Sequence, residues 1–190
     1  MAVRSANVAD QLRASDVIGG LAGMATGRVS IPVSALRRVE DVAAALGEFN
    51  ECVRYLNTRR STGAVLALDS EAAVQDALYL MLRPWVPDLV PENPTEKSGN
   101  RFSVRDFMSR ALRLVIEAKF VRDKQHGKAI SKELHDDLEV YRHNQFCDTL
   151  IFFVYDPDSC IPDERELRRT IEQSRVYDGR ALRCMMIVKP

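Results

Sequence analysis

Apolar residues recur at Leu36, Val39, Ala43, Leu46, Phe49, Val53 and Leu56, at spacings of three and four. That period predicts an amphipathic helix over 33–56. Ser30-Ile31-Pro32 precedes it as a start signal, because proline is tolerated in the first helical turn. After a polar break at 58–63 a second helix is expected. Asp69 or Ser70 caps it, Val74, Ala77, Leu78, Met81 and Leu82 form its buried stripe, and Arg83-Pro84 ends it. Pro84, Pro87, Pro91 and Pro94 then mark 84–100 as a connector without regular structure.

The period changes in the next stretch. Phe102–Met108 and Leu112–Phe120 are β-prone runs that predict a tight antiparallel hairpin turning through Ser109-Arg110. A polar, basic loop follows at Val121–Gly127. Ile130, Leu134, Leu138 and Tyr141 then predict a third helix ending near His143-Asn144. Leu150–Tyr155 (LIFFVY) is continuously apolar, as in a strand buried on both faces. Asp156-Pro157-Asp158 forms a turn, and Pro162 opens a fourth helix with Leu167 and Ile171 inward. Tyr177-Asp178-Gly179 breaks it before a last strand, Ala181–Val188. The order α-β-β-α-β-α-β describes an α/β domain with a mixed sheet over 66–190, preceded by a helical extension, 1–65.

Composition narrows the class. At 190 residues, 46% hydrophobic and 28% charged, the chain is an ordinary globular domain with a small extension. No apolar run is long enough for a membrane helix, and MAVRSANVADQLRASD lacks the apolar centre of a secretory signal. Cys52, Cys147, Cys160 and Cys184 are scattered without a CxxC pair, which suits reduced thiols in a cytoplasm. Zero net charge excludes a protein that coats nucleic acid by bulk attraction. A local excess remains: Arg101, Arg105, Arg110, Arg113, Lys119, Arg122, Lys124, Lys128 and Lys132 face only Asp106, Glu117 and Asp123.

The chemistry gathers in that basic stretch. Residues two apart on a strand leave the same face, so Glu117 and Lys119 project together. In the predicted hairpin Asp106 lies across from them, at a sheet edge. Two carboxylates and an ammonium are what metal-assisted phosphodiester hydrolysis requires. The tripeptide Glu117-Ala118-Lys119 carries little alone: with 27 acidic residues, about one acidic-x-Lys arises by chance. A solvent-facing edge pair would also account for it. Elsewhere, His126, His135 and His143 show no ligand spacing, and Gly127-Lys128-Ala129 lacks the rest of a phosphate loop. Asp136-Asp137 is expected on a solvated helix face and Tyr141 in the core.

Taken in order, Glu71 on a helix, Arg105-Asp106-Phe107 and Ile116-Glu117-Ala118-Lys119 resemble the active-site pattern of the PD-(D/E)XK nuclease superfamily. Lys128-Ala129-Ile130, Leu134, Asp137, Tyr141, LIFFVYDP at 150–157 and Ile161 resemble the C-terminal domain of DpnII/MboI-type restriction endonucleases. Arg105 stands where the superfamily carries a proline. The resemblance implies a restriction-endonuclease-like mixed sheet flanked by helices. It also implies a Mg²⁺-dependent endonuclease acting on DNA, in restriction or phage defence. Asp106 and Glu117 would hold Mg²⁺, or Mn²⁺ in its place, with the Ala118 carbonyl; oxygen donors suit such hard cations. Lys119 would orient the nucleophile or balance transition-state charge. Glu71 would be an outer or second-metal carboxylate, with service to its helix dipole as the alternative. DNA is expected over RNA, since no aromatic-rich RNA-recognition pattern is present. A homodimer is expected because cutting both strands takes two sites. The competing reading is a non-catalytic module that keeps the fold to bind nucleic acid or a protein partner.

Overall fold

A computed structural model of the chain describes residues 38–58, 66–91, 106–177 and 179–190. The start signal Ser30-Ile31-Pro32, residues 33–37 of the first predicted helix, most of the polar break, residues 102–105 of the first predicted strand and Asp178 lie outside them. The three-and-four spacing does make helix, but in two pieces, α1 (Val39–Gly47) and α2 (Phe49–Thr58). The break falls at Glu48, whose N–H turns back to the Ala45 carbonyl at 3.0 Å. It follows Gly47, a residue that weakens a helix interior by about 1 kcal/mol relative to alanine. The third helix, α3 (Glu71–Leu82), forms where predicted: Ser70 Oγ accepts from the Ala73 N–H at 3.3 Å, and Val74, Ala77, Leu78 and Leu82 are buried while Met81 is partly so.

Among the described residues six strands form one mixed sheet: β1 (Val90–Pro91), β2 (Asp106–Ser109), β3 (Leu114–Phe120), β4 (Thr149–Tyr155), β5 (Arg175–Tyr177) and β6 (Arg180–Lys189). Their order is β1-β2-β3-β4-β6-β5, with β3, β4 and β6 parallel and the other pairs antiparallel. Two strands were not anticipated. β1 forms inside the proline-rich connector, which is permitted because Pro91 sits on an edge strand. β5 is only three residues long, too short for alternation to show, and Gly179 at φ +78 turns it back onto β6. The β2–β3 connection is also longer than the expected two-residue turn. It spans Arg110–Arg113, and the Asp88 carboxylate holds it by accepting from Ser109 Oγ (2.8 Å) and the Ala111 N–H (2.9 Å).

Helices cover both faces. α1, α2 and α3 pack over Phe107, Leu114, Ile116, Ala118, Ile151 and Phe153. On the other face α4 (Lys124–Tyr141) and α5 (Glu164–Ile171) pack over Met108, Val115, Leu150, Phe152, Val154 and Met186. LIFFVY therefore contributes to both cores, as its unbroken apolarity indicated. All four cysteines are free thiols, and burial pushes Cys147 up to about 12. No helix among the described residues is long and apolar enough to cross a membrane.

α4 begins inside the segment expected to be a loop. Asp123 Oδ1 accepts from the Gln125 and His126 N–H groups, both at 2.8 Å, so residues 124–127 form its first turn. Gly127 in that turn presses on the loop after β4, where a Cβ would stand 2.3 Å from the Cys160 carbonyl oxygen. The loop cannot easily recede, because the buried Asp156 carboxylate accepts from the Cys160 N–H (2.8 Å) and the Ile161 N–H (2.9 Å). Gly127→Ala is therefore expected to destabilise the protein by about 1–3 kcal/mol even though alanine is the better helix former. Urea unfolding checks this: an unchanged midpoint would show that the loop yields freely.

Candidate active site

Glu117 and Lys119 lie in the second half of β3, and strand alternation sends both toward α4. Glu117 is 1% exposed and Lys119 7%, so the reading of a solvent-facing pair is excluded. Lys119 Nζ donates to Glu117 Oε1 at 2.7 Å. β3 is also not at the sheet edge that the hairpin suggested; it lies between β2 and β4. The antiparallel register sets Asp106 directly opposite Glu117, a pairing that brings Cα atoms to about 4.5–5.5 Å. Asp106 thus lies across from Glu117 as expected, but it does so through the longer Arg110–Arg113 connection; a two-residue turn at Ser109-Arg110 would have set it against Arg113. Ala118 is fully buried on the opposite face, among the residues under α3.

α4 supplies two more polar groups. Asp137 Oδ2 stands 2.7 Å from Lys119 Nζ, and Tyr141 Oη donates to Glu117 Oε2 at 3.3 Å. Matching advances along the two elements explain the pairing. Four helical residues rise about 6 Å and two strand residues about 6.7 Å, so 137 and 141 on α4 meet 119 and 117 on the antiparallel-running β3. Asp136 is exposed as expected, but Asp137 is not on a solvated face. A usable signal existed, since Asp137 lies three residues after Leu134 and four before Tyr141, within the buried stripe.

The electrostatics follow from burial. Desolvation drives the Glu117 carboxyl up; Lys119 pulls it back, Asp137 and Glu71 add to the rise, and the result is about 8. For Lys119 burial works against the ammonium, yet Glu117 and Asp137 together outweigh it and hold its proton above the usual lysine range. Glu71, the first residue of α3, is half-buried and contributes negative field at Glu117. Two carboxylates thus share one buried ammonium, Glu71 adds negative field at Glu117, and Asp106 opposes the pair in register. That surplus of negative oxygen donors fits a hard divalent cation. Among the residues whose side chains are described, no three carboxylate, imidazole or thiol groups already surround a common point.

The basic residues do not all gather on this site. Arg113 pairs with Asp148 at 2.9 Å. Lys128 and Asp137 are nine residues apart on α4, which places them on opposite sides of the helix at about 100° per residue. Lys128 instead lines a groove shared with Ile161, Pro162, Asp163 and Glu166. Arg101 and Arg105 lie outside the described residues.

The family model for the DpnII-MboI restriction endonucleases matches residues 40–186. Comparisons with curated proteins and with solved structures returned no match.

Proposed function

This chain belongs to the DpnII/MboI restriction-endonuclease family, a family of DNA-cleaving nucleases, and from that premise we propose that it is a divalent-cation-dependent DNA endonuclease with its site at Asp106, Glu117 and Lys119. The observation that carries the reading is the buried Glu117–Lys119 pair, opposed in register by Asp106 and surrounded by further carboxylates. A salt bridge so buried is poor evidence of stability, because desolvation offsets its attraction. It is better explained by chemistry that needs charge where water is scarce.

In this reading Glu117 and Asp106 hold Mg²⁺ or Mn²⁺ together with the Ala118 carbonyl. Tyr141 fixes the Glu117 carboxylate, and Glu71 adds negative field from the end of α3. Lys119 stays protonated beside its two carboxylates, so it can orient the nucleophile or meet negative charge growing on the scissile phosphate. A bound divalent cation would supply further positive charge to the phosphate and ease deprotonation of the attacking water. Restriction of foreign DNA in a cytoplasm, by a homodimer with two such sites, completes the proposal.

The test is purified full-length protein with plasmid and single-stranded DNA, with and without Mg²⁺ or Mn²⁺. Wild type should cleave only with metal, and Lys119→Ala should lose about 10²-fold or more in rate. Equal background for both proteins under every metal condition would sink the proposal and favour the non-catalytic module.

A further inference from the structure

We infer that Asp137 is a positioning residue for Lys119, retaining the ammonium when a divalent cation takes its place at Glu117. The inference rests on the reading of Glu117 as a cation ligand. In the structure one ammonium is shared: Lys119 Nζ stands 2.7 Å from both Glu117 Oε1 and Asp137 Oδ2. A cation arriving at Glu117 meets that ammonium as a like charge competing for the same carboxylate. One of the two must yield. Without Asp137 the ammonium would keep Glu117 as its one ion-pair partner among the described residues, and it would oppose the cation. With Asp137 in place, Lys119 can give up Glu117 and keep a full counter-charge by turning its terminal group.

Two further observations fit this assignment. Asp137 Oδ2 is buried 2.7 Å from Nζ with no other hydrogen-bond partner among the described residues, so its charge is directed at Lys119. Tyr141 Oη holds Glu117 Oε2 at 3.3 Å, so the carboxylate can stay in place when the ammonium leaves it. Asp137 acts here through Lys119 and touches neither substrate nor cation.

The experiment is a double-mutant cycle on the full-length protein, reading Mn²⁺ affinity by titration calorimetry with melting curves as the folding control. Asp137→Asn should weaken Mn²⁺ binding about tenfold or more when Lys119 is present. In the Lys119→Met background the same change should weaken it several-fold less, because no ammonium is left to restrain. An equal or larger effect in that background would mean that Asp137 acts on the cation directly through its charge, and would overturn the inference. So would the absence of any effect in the wild-type background. A crystal soaked in Mn²⁺ gives an independent reading that does not depend on the variants folding. Lys119 Nζ should remain within hydrogen-bond reach of Asp137 and beyond it from Glu117, and the reverse would overturn the inference. Failure of wild type to bind Mn²⁺ at all would instead bring down the functional reading beneath it.

Discussion

Glu117→Gln is expected to remove metal-dependent DNA cleavage while leaving the fold about as stable as wild type. Glutamine keeps the shape of the side chain and an oxygen that can accept from Tyr141 Oη or Lys119 Nζ, both of which reach Glu117 now. What it loses is the charge that would hold a cation, so the rate should fall by about 10³-fold, the scale of removing a group that stabilises transition-state charge. Stability should respond differently. Breaking a buried ion pair usually costs about 3–5 kcal/mol because a charge is left alone. Here Lys119 retains Asp137 at 2.7 Å, and Glu117 is a carboxylate at 1% exposure whose burial is itself unfavourable. The melting temperature should therefore stay within about 4 °C, equivalent to about 1 kcal/mol in a chain of this size. Plasmid cleavage and thermal melting of the same preparation separate the outcomes. Cleavage that survives sinks the catalytic assignment; cleavage lost together with the fold makes Glu117 structural.

The sequence was most legible where one local rule decided the matter. Ser70 caps α3 and the LIFFVY run is a doubly buried strand because capping chemistry and apolar run length are both local. The common face of Glu117 and Lys119 followed from strand alternation alone. The misses have physical causes. Apolar spacing over 36–56 continues through Glu48, so it could not show that the backbone turns there. β1 and β5 are strands because β2 and β6 offer them free hydrogen-bonding edges, a tertiary effect that overrides weak local preference. The place of Asp137 at the site was missed because apolar periodicity passes over polar residues, even when one occupies a partly buried position for the sake of a partner on another element. That partner, Lys119, lies 18 residues earlier, and only the matched advance of α4 and β3 joins them.

Phe49→Ala should have the largest effect on stability, although Phe49 lies across the sheet from the site. Phe49 is 1% exposed, with its ring centroid 4.8 Å from Phe153 at an interplanar angle of 64° and 5.9 Å from Tyr155. It is the one residue of α2 that is buried, so the helix docks through this side chain. Truncating a buried phenylalanine costs about 3–5 kcal/mol, from lost burial and the cavity left behind, and edge-to-face contacts add to the loss. The melting temperature should fall by about 6–20 °C. Phe153 faces α2 whereas Glu117 and Lys119 face α4, and Phe153 pairs in register with Ala118 between them. The variant should therefore cleave DNA at a near wild-type rate below its melting range and fail at temperatures wild type tolerates. An unchanged melting temperature would show that α2 contributes nothing to the core. A lost rate in a protein still folded would show that packing on the far face of β4 sets the geometry of the site through the shared sheet.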